Sequence, residues 1–320
     1  MALPLEFQRI ARYFAPLAGE GALGLKDDAA VLASIPGKLV LSADAMVEGV
    51  HFPAGEAPAL IARKLLRTNL SDLAAMGARP LGYLLTIAVP RATDEAWFAG
   101  FAEGLAADQE EFGLALLGGD STSIPGPVSV SLTILGTAHA VLRREGARVG
   151  DDIWVSGTIG DGALGLLALR GEVADPDGFL VSRYRLPQPR LELGRRLVGI
   201  AHAAMDVSDG LVQDLGHLCR AAGLGAIVEA ARVPASPAAL AAGDAHLARR
   251  ITGGDDYELL FAASPEVAGA VAAAAAACGI PVTRVGRFRD APACVTVLDD
   301  QGGAIALERG GWSHFDAAEP

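Results

Sequence analysis

The chain has 320 residues, of which 51% are apolar and 20% charged; this is enough for a buried core and excludes a disordered or fibrous protein. At about 150 residues per domain, this length predicts two domains. The net charge of −12 provides no basic surface for nucleic acid or for an anionic membrane, so neither is expected as a partner.

The first part of the chain alternates helical and strand patterns. Helical spacing over residues 5–14 precedes two short apolar strands that meet at Ile35-Pro36-Gly37. The spacing of apolar residues then predicts a helix over 58–76, with Asn69 and Asp72 on one face.

The apolar run 81–90 predicts a strand that is buried on both faces or pairs at a subunit interface. A helix over 93–112 follows, and then a short strand that ends at Gly118-Gly119-Asp120 and a long strand over 127–138. A polar, turn-like segment after residue 138 predicts a domain boundary near residue 140.

The second half resembles the first in kind, since strands and helices alternate from residue 152 onward. No repeat of fixed period is present, which disfavours a solenoid. The sequence therefore predicts two α/β or α+β domains, 1–140 and 141–320.

The three cysteines, Cys219, Cys278 and Cys294, match neither a disulfide framework nor the paired spacing of a zinc site. They are typical of buried thiols in a reducing compartment. The N-terminal residues do not resemble a signal peptide, and the longest charge-free apolar run, 267–280, is shorter than the ~20 residues of a membrane-spanning helix. We expect a cytoplasmic protein.

Two segments have the glycine spacing of a dinucleotide-binding turn, but neither is a strong indication of such a site. The one at 19–24 follows a helix and precedes a strand, which is the reverse of the required order. The one at 160–165 follows a strand and opens a helix, yet Asp161 lies where a pyrophosphate would bind, so a tight strand-to-helix turn is favoured. No P-loop motif is present.

A set of aspartates is the sharper signal, because each is predicted at a strand end or a helix start. A lone aspartate there usually caps a helix or a turn. Several carboxylates at one sheet edge would repel one another unless cations lay between them, and ligation by oxygen alone favours Mg²⁺. The set comprises Asp27, Asp28, Asp44, Asp72, Asp120, Asp206 and Asp209.

Ser208 and Asp209 also precede a predicted helix, whose N-terminus favours an anion such as a phosphate. A phosphate and its metal ion could therefore meet at this point.

Nine segments of the chain carry a resemblance to a known family. In order they are KDDAAVL, SADAMVEGVHF, NLSDLAAMGARP, LGGDST, REGARVGD, VSGTIGDGALGL, DVSDGLVQDLGH, GGDDYELLF and GWSHF. Together they resemble the thiamine-monophosphate kinase family, from the superfamily of aminoimidazole ribonucleotide synthetase. The resemblance covers nearly the whole chain.

The resemblance implies a Mg²⁺-dependent transfer of the γ-phosphoryl group of ATP to thiamine phosphate. It further implies an N-terminal domain that binds ATP and Mg²⁺ and forms a homodimer, which the apolar run 81–90 also favours. The residues that match the family's magnesium ligands are Asp28, Ser42, Asp44, Asp72, Asp120, Asp206 and Asp209. Those that match its ATP contacts are Gly119, Asp120, Arg144 and Ser208, and those that match its thiamine phosphate contacts are His51, Asp255 and Trp312.

The chain departs from the family pattern at two positions. Ala43 stands where threonine is common, and Asp255 stands where glutamate is more usual, which shortens the reach toward substrate by one methylene. Arg143 is an alternative to Arg144 as the ATP contact. The acceptor phosphate is already ionised at neutral pH, so we expect direct in-line transfer without a protein base, rather than a covalent aspartyl-phosphate.

The sequence leaves alternative functions open. Selenophosphate synthetases carry a reactive cysteine near the N-terminus and hydrogenase-maturation relatives end in a functional cysteine, and both features are missing here. The glycine motif at 160–165 leaves an NAD-dependent protein as an alternative, and the aspartates leave a Mg²⁺-dependent phosphatase.

Overall fold

In the computed structural model, residues 4–27, 29–32 and 34–313 are described. They form two compact units, one of residues 1–73 and 78–140 and the other of 74–77 and 141–320. Among the described residues, no helix combines the length and the apolar composition that crossing a bilayer requires.

The first unit is built on a four-stranded sheet. The elements in chain order are α1 (Leu5–Arg9), β1 (Lys38–Val47), α2 (Pro58–Ala75), β2 (Arg79–Pro90), α3 (Glu95–Phe112), β3 (Ala115–Ile124) and β4 (Ser129–Ala138). The strand order is β1-β4-β2-β3, with β2 and β3 parallel and the other pairs antiparallel.

Three expectations for this unit can be compared with the structure. The helical spacing over 5–14 is confirmed, as α1 with a π-helical continuation over residues 10–14, whereas the predicted strand before Ile35 is not formed in the described residues 29–32 and 34. The run 81–90 is not buried on both faces, since Tyr83, Leu85 and Ile87 are buried whereas Leu84 is 41% exposed; its pairing at a subunit interface stays a prediction.

Helices α2 and α3 cover one face of the sheet. An ion pair inside the α2–α3 contact joins Arg67 to Asp108 through two hydrogen bonds of 2.8 and 2.9 Å, and the Asp108 side chain is fully buried. Helix α3 begins at the Asp94 cap, whose side chain accepts the N–H of Trp97, and ends at Gly113 in the left-handed conformation.

The second unit is a six-stranded sheet with helices on both faces. Its helices are α4 (Asp161–Leu169), α5 (Phe179–Arg185), α6 (Leu191–Leu197), α7 (Leu211–Ala222), α8 (Pro237–Ala241), α9 (Leu247–Thr252) and α10 (Ala268–Cys278). Its strands are β5 (Asp152–Ser156), β6 (Ala203–Asp206), β7 (Gly225–Glu229), β8 (Leu259–Ala263), β9 (Val282–Arg289) and β10 (Val295–Leu298), in the order β10-β7-β9-β5-β8-β6.

Alternation along the central strands divides the core of this unit between the two sheet faces. Leu260 packs in a cluster with Leu215 of α7, whereas Phe261 packs in a cluster with Leu193 of α6 and Val271 of α10. The class is the predicted mixture of helices and strands, but both sheets are mostly antiparallel.

Candidate active site

The helix-covered face of the first sheet carries three of the predicted metal ligands. The Ser42 hydroxyl on β1 donates to Asp72 Oδ2 on α2 at 2.5 Å. The backbone N–H of Asp44 donates to the side-chain oxygen of Asn69 at 3.1 Å. The spacing of Asn69 and Asp72 on one helix face therefore matches alternate residues of β1, and this pairing brings Ser42, Asp44 and Asp72 together.

Asp120 is not part of this group in the single chain. It lies inside β3 beside Thr86, and not at a strand end as the sequence indicated; Asp44 likewise lies inside β1. Strands β1 and β3 are the two edges of the sheet, so three strand spacings, about 14 Å, separate them.

A cavity of about 660 Å³ lies in the first unit, over the β2–β3 side of the sheet face that α2 and α3 leave uncovered. Gly118, Gly119 and Asp120 line it, together with Leu84 and Thr86. Asp27 and Ala29 also line it, whereas the predicted ligand Asp28 is outside the described residues. The cavity has the apolar walls and the few polar groups typical of a small-molecule site.

His51 follows β1 in a turn that fixes the state of its ring. Its Nδ1 accepts the backbone N–H of Val47 at 2.9 Å, so that nitrogen carries no proton and the ring proton of the neutral form is on Nε2. The ammonium group of Lys64, a buried residue, donates to the carbonyl oxygen of His51 at 3.2 Å. In the neutral imidazole, Nε2–H is therefore the hydrogen-bond donor.

In the second unit, the segment after β6 is joined to the segment before β8. Asp206 ends β6, and the next two residues accept backbone hydrogen bonds: Tyr257 N–H donates to Val207 and Asp255 N–H donates to Ser208, at 2.8 and 2.9 Å. The predicted ATP contact Ser208 and the predicted substrate contact Asp255 are therefore neighbours.

The C-terminal tryptophan lies beside the same segment. Trp312 N–H donates to the carbonyl oxygen of Asp209 at 2.9 Å. The Gln213 amide donates to the Trp312 carbonyl at 2.5 Å and to the Asp209 carboxylate at 3.3 Å. Because the Trp312 side chain is half exposed rather than part of the core, its ring is accessible for stacking.

An internal carboxylate occupies the start of α7. Asp214 Oδ2 accepts the N–H groups of Asp209 and Gly210 at 3.0 and 3.1 Å. Burial and the nearby charge of Asp209 raise the pKa of Asp214 to about 7, although these backbone hydrogen bonds oppose the shift. These two N–H groups are therefore already satisfied within the protein.

The two neighbouring arginines differ in their surroundings. Arg143 forms an ion pair with Glu145. Burial lowers the pKa of His217, the charges of Arg220 and Arg144 lower it further, and Asp209 opposes them. The Arg144 guanidinium therefore lies near enough to His217 of α7 to act on it electrostatically, as does Asp209.

In the glycine turn at 160–165, a carboxylate of the protein occupies two of the backbone N–H groups. The N–H groups of Gly160 and Gly162 donate to the two oxygens of the buried Asp256 carboxylate at 2.7 and 3.0 Å. An acid of the protein thus lies where a pyrophosphate would bind, which disfavours the NAD-dependent alternative. The glycine spacing at 19–24 falls mostly within a 3₁₀ segment, Glu20–Leu25.

The donor set suits magnesium by its chemistry. The predicted ligands in the described part of the chain offer only carboxylate and hydroxyl oxygens, which are hard ligands. Within residues 4–27, 29–32 and 34–313, no three His, Cys, Asp or Glu residues are grouped closely enough to hold an ion. Mg²⁺ commonly uses one or two carboxylates and completes its shell with substrate phosphates and water, so the residues fit an ion that arrives with a nucleotide.

The comparisons with known proteins agree with the two-unit architecture. Residues 26–138 match the N-terminal domain of AIR synthase related proteins, and residues 148–299 match their C-terminal domain. The chain is therefore an AIR synthase related protein.

Close relatives narrow this class. The chain is 48% identical to the thiamine-monophosphate kinase of Caulobacter vibrioides over 98% of this chain and 92% of the relative. The crystal structure of the thiamine-monophosphate kinase of Stenotrophomonas maltophilia has 41% identity and a TM-score of 0.79, with 88% and 91% of the two chains covered. A third structure, AaThiL complexed with AMPPCP and TMP, has 28% identity and a TM-score of 0.77, with 90% and 91% covered. The chain belongs to the thiamine-monophosphate kinase family.

Proposed function

We propose that this chain transfers the γ-phosphoryl group of ATP to thiamine phosphate and produces thiamine diphosphate. The main structural support is the group in the second unit that joins Ser208, Asp209, Asp255 and Trp312 through direct hydrogen bonds. It combines a hydroxyl for a phosphate, carboxylates for a metal ion and an accessible indole for a flat heterocycle. Relatives that are 48% and 39% identical, over 92% and 98% of their own lengths, are thiamine-monophosphate kinases by name.

Gly119, Asp120, Arg144 and Ser208 are the proposed contacts to ATP. For Gly119 and Asp120, the support is the cavity of the first unit, which both residues line and whose apolar walls suit a nucleobase. Mg²⁺, when bound, neutralises the charge of the transferred phosphoryl group. The residues proposed to hold it are Asp28, Ser42, Asp44, Asp72, Asp120, Asp206 and Asp209.

His51, Asp255 and Trp312 are the proposed contacts to thiamine phosphate. His51 presents Nε2–H, because its Nδ1 accepts the Val47 N–H, and a donor suits a phosphate oxygen. Trp312 offers its indole face, and Asp255 lies beside Ser208 because its N–H donates to the Ser208 carbonyl oxygen.

Transfer is proposed to be direct and in line. The nucleophile is an oxygen of the acceptor phosphate, whose second pKa is about 6, so it needs no protein base at neutral pH. The chain positions the two phosphates and surrounds them with charge, which is the main requirement of a loose phosphoryl-transfer transition state. An acid limb near the substrate's own pKa is expected in the pH profile. A radiolabelled phospho-enzyme formed with γ-labelled ATP alone would contradict this mechanism.

We also propose a cytoplasmic homodimer that associates through the first sheet. Strand pairing places Leu41 and Leu84 on the face opposite α2 and α3, and their side chains are 56% and 41% exposed. An exposed apolar sheet face is typical of an interface. A particle of about 33 kDa in light scattering at micromolar concentration would refute the dimer.

The decisive assay measures ADP release in the presence of Mg²⁺ with thiamine phosphate, with thiamine and with no acceptor. ADP release that requires thiamine phosphate, with formation of thiamine diphosphate, is expected. Phosphate release without an acceptor would indicate a phosphatase instead, and release with thiamine would indicate a different acceptor.

A further inference from the structure

The segment 253–258 has a strained backbone. Asp255 and Tyr257 lie in the left-handed region, with φ of 70° and 53°. Aspartate tolerates this region better than most side chains, whereas tyrosine does not. Such a backbone persists only where the surroundings hold it, and it is concentrated at functional sites.

The residues that alternate with these two are buried acids. Asp256 is 1% exposed and Glu258 is 0% exposed. Asp256 holds the N–H groups of Gly160 and Gly162, as described above. The buried side chains of Asp256 and Glu258 thus anchor the segment at every second residue.

Two arginines that are distant in sequence but adjacent in the fold bind the Glu258 carboxylate. Arg190 donates from Nε to Glu258 Oε2 at 2.7 Å and from Nη2 to Oε1 at 2.5 Å, and Arg183 donates to Oε1 at 2.8 Å. The Ser156 hydroxyl adds a 2.6 Å bond to Oε2. Arg190 is the last residue of the stretch RLPQPR, residues 185–190.

This ion-pair cluster connects directly to the proposed site. The backbone carbonyl of Glu258 accepts the Val207 N–H at 2.8 Å, while Tyr257 N–H donates back to Val207 and Asp255 N–H donates to Ser208. The Ser156 hydroxyl that binds Glu258 also accepts the Leu259 N–H at 2.8 Å. A displacement of Glu258 would therefore move both the segment with Asp255 and the segment with Ser208.

We propose that Glu258, clamped by Arg183 and Arg190, is a positioning residue that holds Asp255 and Ser208 in register for phosphoryl transfer. The inference rests on the proposed function, since it concerns the residues assigned there to substrate and ATP. Glu258 itself touches neither ligand in this account. Glu258 holds the strained backbone of Asp255 and Tyr257, whose N–H groups bind the carbonyl oxygens of Ser208 and Val207.

The test uses two variants of the full chain. Glu258→Gln keeps the shape and removes the charge, and Arg190→Gln removes one partner of the same carboxylate. Each is expected to lower kcat on the order of 10²-fold, the scale of a misplacement of about 1 Å, and to raise KM for thiamine phosphate. Amide hydrogen exchange at Asp255 and Tyr257 should become faster in both variants, because their bonds to Ser208 and Val207 loosen.

The matched control is Asp108→Asn. Asp108 is also a fully buried carboxylate held by two arginines, Arg63 and Arg67, but it belongs to the contact between α2 and α3. The Asp108→Asn variant should lose stability to a similar degree, but its kcat, its KM and the exchange at Asp255 and Tyr257 should remain those of the wild type. All variants are compared under conditions in which each is folded.

Wild-type kcat and exchange in the Glu258 and Arg190 variants would overturn the proposal, and so would an equal loss of kcat in the control. If the wild-type protein does not turn over thiamine phosphate, the proposed function fails. Exchange at Asp255 and Tyr257 then decides the positioning claim by itself: faster exchange supports it and unchanged exchange overturns it.

Discussion

Replacement of Gly119 by alanine tests how closely β2 and β3 pack beside the cavity of the first unit. A Cβ at this position would lie 1.8 Å from the carbonyl oxygen of Leu85, whereas real Cβ contacts almost never fall below 3.0 Å. The strands must therefore separate by more than 1 Å at this point. The φ of 156° is also one that L side chains rarely adopt.

The expected loss of stability follows from these two effects. Separation breaks about two ladder hydrogen bonds at about 1 kcal/mol each, and the backbone strain adds about 1 kcal/mol, for a total of about 3 kcal/mol. Gly118→Ala is the control, because its nearest neighbour is the end of the Leu84 side chain at 3.4 Å. That variant should change stability by less than about 1 kcal/mol.

The assay is urea unfolding without nucleotide, followed by the fluorescence of Trp97 on α3 in a background with the other two tryptophans changed to phenylalanine. This probe reports on the first unit alone, so that unfolding of the second does not distort the transition. An unfolding midpoint for Gly119→Ala that equals that of Gly118→Ala would refute the close approach of the two strands.

Three further predictions concern the site. Asp44→Asn and Asp120→Asn should each lower turnover at least ~10²-fold with folding intact, since each removes a strong electrostatic contributor; near-normal kcat in either would show that the site is misplaced. Trp312→Ala should raise KM for thiamine phosphate more than Trp312→Phe does, and equal KM values in steady-state assays would argue against stacking. The pKa of Asp214 is about 7 in the folded protein, against an ordinary value of 3.8. The stability that this raised pKa contributes is therefore full below pH 4 and is lost as the pH rises to 7. Urea midpoints without ligand should therefore fall by an amount equivalent to up to about 4 kcal/mol over that range, and Asp214→Asn should flatten the dependence; equal slopes would contradict the assignment.

Periodicity was a reliable guide to the long helices of the first unit. The predicted helices over 58–76 and 93–112 are observed as Pro58–Ala75 and Glu95–Phe112, because their apolar spacing and the Asp94 cap act within the segment itself. The face shared by Asn69 and Asp72 was also readable from spacing, and it is the face that meets β1.

Strand patterns were less informative about the positions of acids. Asp44 and Asp120 were predicted at strand ends but lie within β1 and β3, because hydrogen bonds from neighbouring strands extend these strands past the apolar residues. The argument that the acids converge at one edge assumed parallel strands, whereas most pairs here are antiparallel.

By itself the sequence determined which residues could serve the chemistry, because oxygen ligands, a histidine and a terminal tryptophan can be read from residue type and order. Only the tertiary structure decided which of them act together and which N–H groups are already occupied. Asp214 and Asp256 read as two more acids in acidic motifs, yet each takes up backbone N–H groups that could otherwise have bound a phosphate. The reason is physical: a hydrogen bond between residues 96 apart, such as that of Gly160 with Asp256, depends on how the strands pair, and local sequence does not encode that distance.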